Sequence, residues 1–219
     1  DRDAVSKILK IGVPAGLQGM VFSLANVCIQ SGINSFGAGG IAGSAVELNY
    51  EYFAYYLVNA FAQTVVTFTG QNYGAGKPER IWMGVKVSAL MMIIYWAFTF
   101  CVLMLGARTF ALLFVEASEL EILKDTELFL HISVSFFPVL GLLCILRYTI
   151  QGAGYTNLAM LSGVSEMIAR VLVSLYAVPA FGYLAVCFGD PTAWIAAVLF
   201  LVPAFIFVYR RLLRMRREQ

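Results

Sequence analysis

Glu47 and Glu51 are the residues whose type and spacing most plainly invite chemistry. They begin a row, Glu47, Glu51, Tyr55, Asn59 and Gln63, in which every step is four residues. Such a row drifts slowly around a helix but stays on one broad side. No Lys or Arg occurs between residues 11 and 76 to neutralise the two acids locally. Burial and like-charge repulsion both disfavour two bare carboxylates, so at least one is expected to hold a proton near neutral pH unless a cation is present. That is the chemistry of carrying a proton or a cation. Tyr50, Tyr52, Phe53, Tyr55 and Tyr56 crowd the same stretch and could face an organic cation with their rings, or simply pack. Pairing with Arg147 or Arg170 from other segments would instead make the acids structural.

Two further rows have helical spacing. Gln18, Asn26, Gln30 and Asn34 form a polar stripe in the preceding segment, three of them at consecutive steps of four. Such amides either line a wet cavity or hydrogen-bond between helices. Ser162, Glu166, Arg170 and Ser174 repeat the spacing late in the chain, and Glu166 before Arg170 is the favourable order for a structural ion pair within one helix. Arg147 is expected to reach a polar boundary by its long stem, and His131, the single histidine, to be a satisfied imidazole. Cys28, Cys101, Cys144 and Cys187 all lie in apolar runs and are expected to be reduced, buried thiols.

Enzyme chemistry has no foothold. GQNYGAGK (70–77) has misspaced glycines for a phosphate loop, and Pro78 stands where a Ser or Thr would bind magnesium. Neither a metal site nor a bound cofactor is expected.

These rows need long apolar helices to carry them, and the composition supplies them. The chain has 219 residues, 60% hydrophobic and 13% charged, with a mean hydropathy of +0.80. A soluble domain carries about 25% charged residues, so this is the composition of an all-α, polytopic membrane protein. A net charge of +2 gives no reason to expect nucleic-acid binding. Spans of about 20 apolar residues are expected over 11–36, 41–73, 81–106, 126–151, 155–186 and 192–209, followed by a basic tail over 210–219. The separators FGAGG, GAGKPER, an acidic stretch over 116–125, GAG and FGDP are rich in turn residues. A short interfacial helix is expected over 107–116. No secretory leader is expected at the start.

Lys and Arg set the orientation. Arg2, Lys7 and Lys10 precede the first span, Lys77, Arg80 and Lys86 flank the second turn, and Arg210, Arg211, Arg214, Arg216 and Arg217 follow the last. The opposite connections hold Glu116, Glu119, Glu121, Asp125 and Glu127 with only Arg108 and Lys124. Both termini are therefore expected in the cytoplasm.

Three segments together resemble one family. IGVPAGLQGMVFSLANVCIQSGINSFGAGGIAGSA (11–45), GQNYGAGKPERI (70–81) and QGAGYTNLAM (151–160), with Glu166 and Arg170 after them, look like the multidrug and toxic compound extrusion (MATE) family. INSFG and GQNYGAGK resemble the C-terminal half of a family member. The resemblance implies one six-helix lobe of a twelve-helix transporter in the cell membrane. Its partners would be small organic cations, membrane lipid, and either an N-terminal lobe or a second copy. It implies export of cationic or amphipathic compounds in exchange for protons or sodium, by alternating access between lobes. The sodium-coupled branch has a glutamate in the first helix of this lobe and an aspartate in the fourth; Phe22 and Leu140 stand there, which moves the expected coupling site to Glu51 and Glu47 or to the other lobe. On this reading Asn26, Gln30, Asn34, Tyr55, Asn59 and Gln63 line the substrate cavity. A lipid-linked oligosaccharide flippase would want a more cationic cavity, and a membrane scaffold would want plain apolar faces.

Overall fold

The computed structural model describes residues 2–34, 37–112 and 119–217. Their elements are helices α1 (Arg2–Asn34), α2 (Gly37–Gly74), α3 (Pro78–Ala111), α4 (Leu120–Gly152) and α5 (Thr156–Leu172), a π-helical turn (Val173–Ala177), and then α6 (Val178–Phe181), α7 (Tyr183–Cys187) and α8 (Gly189–Arg217). Among the described residues four stretches are long and apolar enough to cross a membrane, Pro78–Phe110, Ile122–Gly152, Thr156–Phe181 and Tyr183–Arg216.

α4 is the hub, packed against α2, α3, α5 and α8. Leu143, Cys144, Ile145, Leu146 and Arg147 are consecutive and all buried, as expected where a helix is enclosed by its neighbours over this stretch. α8 meets it with one stripe, Trp194, Ala197, Leu201, Phe205, Val208 and Leu212, buried at steps of three or four. Trp96 Nε1 of α3 donates to the Val134 carbonyl of α4 at 2.9 Å. The rest of α3 turns outward: Met83, Leu90, Ile93, Ile94 and Phe98 are exposed, a face suited to lipid tails. α1 lies against α5 and α2.

The two glycine-rich turns have one geometry. After α2, Lys77 N–H donates to Asn72 C=O at 2.9 Å and Gly76 N–H to Tyr73 C=O at 3.0 Å. After α4, Tyr155 N–H donates to Ile150 C=O at 3.1 Å and Gly154 N–H to Gln151 C=O at 2.9 Å. Both are Schellman motifs, which put a residue in the left-handed region; Gly76 (φ 64°) and Gly154 (φ 86°) occupy those positions. GQNYGAGK is thus a helix end, and Pro78 takes the first turn of α3, where its missing N–H costs nothing. Arg211 of α8 lies over the Tyr155 ring at 5.7 Å and Arg216 pairs with Glu79, so both turns and the C-terminal end of α8 share one end of the molecule. Burial raises the Tyr155 phenol above its usual range, against a lowering by Arg211.

Several expected boundaries differ. The glycines 37–40 begin α2 instead of separating two helices, and Arg2 to Lys10 belong to α1. α3 continues to Ala111, so residues 107–111 are its last turns and no separate interfacial helix; 113–118 lie outside the described residues. α4 starts at Leu120, absorbing half of the acidic stretch. The fifth span is broken. Pro179 has no N–H, and its ring would clash with a regular i−4 carbonyl; the preceding turn widens so that Val178 N–H donates to Val173 C=O, five residues back. Gly182 (φ 62°) then ends α6. FGDP opens α8, with Gly189, Asp190 and Pro191 in its first turn, and the basic tail is helical through Arg217.

Candidate functional site

The described members of the polar rows on α1 and α2 are exposed or half-buried. On α1, Asn26 and Asn34 are exposed and Gln30 is half-buried, with Gln30 Nε2 donating to Asn34 Oδ1 at 3.1 Å. A Cβ added at Gly12, Gly16 or Gly19 would find no atom within 4 Å. On α2, Asn59 is half-buried and Gln63, Thr64 and Thr67 are exposed; the two threonine hydroxyls fall back on their own helix, donating to Ala60 and Gln63 carbonyls at 3.0 and 3.1 Å. Glu47, Glu51 and Tyr55 fall on α2, and their side chains lie outside the described residues, as does that of Phe22. Leu140 is buried in the apolar core.

The protein also holds three charges in its interior, Arg147, Glu166 and Arg170, with the half-buried Asp190 beside them. Arg147 of α4 pairs with Glu166 of α5, and its Nε donates at 2.8 Å to Ser162 Oγ, which itself donates to the Ala159 carbonyl at 2.6 Å. The other Glu166 oxygen, Oε2, lies 3.4 Å from Arg170 Nη1. Arg170 turns its Nε and Nη2 to Asp190 Oδ1 at 2.8 and 2.7 Å. Glu166 is 1% exposed, Arg147 3% and Arg170 4%. Two cations and two anions cancel, and several hydrogen bonds repay part of the desolvation that would otherwise forbid charges here. The network ties α4, α5 and α8 together.

The expected Glu166–Arg170 pair is thus the longest arm of a larger assembly. Arg147 is turned inward, not out to a polar boundary, because Glu166 and Ser162 offer it charge-assisted bonds within the protein. Both arginines are engaged by Glu166 and Asp190. Asp190 is the participant that reading FGDP as a turn missed. Charge neutrality could have found it, since Arg147 and Arg170 in the interior outnumber Glu166. Its place in the first turn of α8 also suits a carboxylate, because the helix dipole is positive there. His131 differs from expectation as well, for its Nε2 is buried with no hydrogen-bond partner among the described residues. Cys144 and Cys187 are buried, whereas Cys101 is exposed on α3.

The MatE family profile matches residues 14–176, and the chain belongs to that family of membrane transporters. Among curated relatives it is 26% identical over 147 residues, 67% of this chain and 33% of the relative, to a probable multidrug resistance protein, YpnP, of Bacillus subtilis (strain 168). It is 23% identical over 140 residues, 64% of this chain and 30% of the relative, to an FAD transporter of Shewanella oneidensis. The fold matches the Vibrio cholerae MATE transporter VcmN in its bent form with a TM-score of 0.85 at 18% identity, covering 98% of this chain and 48% of that one. A MOP-superfamily transporter from Pyrococcus furiosus, whose binding pocket is described as having reversed polarity, gives 0.77 at 20% identity over 99% of this chain and 47% of that one. The matches span about a third of the curated relatives and about half of the solved transporters, so the fold is that of one lobe.

Proposed function

We propose that this chain is one lobe of a secondary active exporter, carrying cationic or amphipathic organic compounds out of the cell in antiport with protons or sodium. The observation that carries the reading is the exposed side of the polar rows, on which Asn26 and Asn34 of α1 and Gln63 of α2 are exposed and Gln30 and Asn59 half-buried. Polar side chains are costly against lipid and normally face protein or water. A second lobe set against this side would enclose them in a cavity, and alternating access would follow from the two lobes rocking about it. Glu51, with Glu47 one turn away on α2, supplies the coupling charge on this reading. One carboxylate gives up its proton or ion as the drug cation enters and regains it as the drug leaves. The cell membrane and cytoplasmic termini belong to the same proposal.

Glu51→Gln tests it. An amide keeps the side chain's volume and most of its hydrogen bonds while fixing it in a neutral state. In the intact transporter, reconstituted in vesicles, the variant should insert and fold normally yet lose gradient-driven efflux of an organic cation, with Glu47→Gln milder. Efflux at the parent rate with unchanged pH and sodium dependence would make the acids structural. An anionic cargo is the second reading, favoured by the likeness to an FAD transporter. Flavin dinucleotide moving in preference to organic cations in the same vesicles would decide for it.

A further inference from the structure

The C-terminal half of α8 carries two adjacent helical rows that change character at one level. Pro203 and Phe207 lead to Arg211 in steps of four, and Ile206 leads to Arg210 and Arg214 in the same steps. All six line one groove of about 850 Å³. Its lower wall is apolar and open, with Ile206 45% and Phe207 56% exposed. Its upper wall, one turn or about 6 Å further on, is three exposed guanidinium groups.

The surrounding acids do not answer that charge. Glu79 is engaged by Arg216, and Arg211 lies over the Tyr155 ring. Among the described residues no carboxylate pairs with Arg210 or Arg214. Lys77 and Arg80 add positive charge at the same end. Arginine forks match the oxygens of a phosphate. The apolar run of α8 ends at Tyr209 and its basic end begins at Arg210, which places the groove where hydrocarbon would give way to headgroups.

We infer that this groove is a binding site for an anionic phospholipid of the adjoining leaflet, its phosphate held by Arg210 and Arg214 and the start of an acyl chain laid along Ile206 and Phe207. A free phosphate or soluble acidic peptide would leave the apolar wall unused, and a zwitterionic lipid would bring a cation against three others. The inference is independent of the cargo and of Glu51.

Binding is tested on the intact protein purified in detergent and titrated with phosphatidylglycerol or phosphatidylcholine, read by lipid retained in native mass spectrometry and by the shift in thermal unfolding. Phosphatidylglycerol should bind and stabilise selectively. Arg210→Gln with Arg214→Gln should weaken it about tenfold or more, given the attraction each basic residue contributes near an anionic lipid. Phe207→Ser should also weaken it, and all variants should unfold like the parent in phosphatidylcholine. Equal binding of the two lipids overturns the proposal. So does an Arg80→Gln loss as large as the double variant's, which would mean a diffuse positive end. Displacement by glycerol phosphate as effective as by the lipid would assign the site to a free phosphate and overturn it too. None of these readouts depends on transport, so a cargo-independent result stands whichever way Glu51→Gln falls.

Discussion

Glu166 is the residue on which the interior charge depends. One oxygen takes Arg147 and the other faces Arg170, so removing its charge leaves the Arg147 guanidinium buried without that counter-charge, beside the neutral hydroxyl of Ser162. Breaking a buried pair from one side costs about 3–5 kcal/mol, because the surviving charge is uncompensated, whereas replacing both partners with apolar groups is often nearly neutral. Glu166→Gln should therefore lower the thermal unfolding temperature markedly, and Arg147→Met combined with Glu166→Leu should lower it less. A single variant as stable as the parent would show that the network contributes nothing to stability. The within-helix pair was legible from the spacing of residues 166 and 170. Arg147 and Asp190 were not, because their distance from Glu166 and Arg170 along the chain says nothing about which helices pack together.

At the scale of elements, the crossing of α2 over α4 rests on Gly152. A Cβ there would lie 2.7 Å from the Val66 carbonyl oxygen and 2.9 Å from Thr69 Cβ, and backbone cannot swing aside as a side chain can. Gly152→Ala should push the helices apart and cost about 1–3 kcal/mol, the usual scale of overpacking. Gly16→Ala, with nothing within 4 Å of its Cβ, should be tolerated and slightly stabilising, since Ala is the better helix former. Comparing their unfolding in one detergent checks the pair. Equal stability of the two variants would mean the α2–α4 contact is looser than the backbone distances state. The turns after α2 and α4 were readable as turns from GAG, since glycine is the residue that accepts positive φ without strain. That Gly152 serves close packing, and Gly154 two residues on serves the turn, depends on what lies opposite each.

For the whole molecule, the basic residues of the α2–α3 turn and of the α8 end gather at one pole through Arg216–Glu79 and Arg211–Tyr155. The positive-inside rule predicts that this pole faces the cytoplasm. Cysteines introduced at Arg80 and Arg214 should be labelled by an impermeant reagent only from inside, and one at Glu121 only from outside. Labelling of positions 80 and 121 from the same side would overturn the topology.

Hydropathy, the steps of four and the glycine-proline punctuation determined by themselves that the chain is a set of apolar helices with three polar rows, and the motif order placed it in its family. These features are local: a helix fixes which of its side chains share a face, and span length is a count of apolar residues. Tertiary structure alone decided which faces meet. It put α4 at the centre, drew Arg147 and Asp190 to the Glu166–Arg170 row, and left Asn26, Asn34 and Gln63 exposed. Those outcomes turn on the energy of closing charges and backbones across helices far apart in the chain, which no periodicity within one helix records.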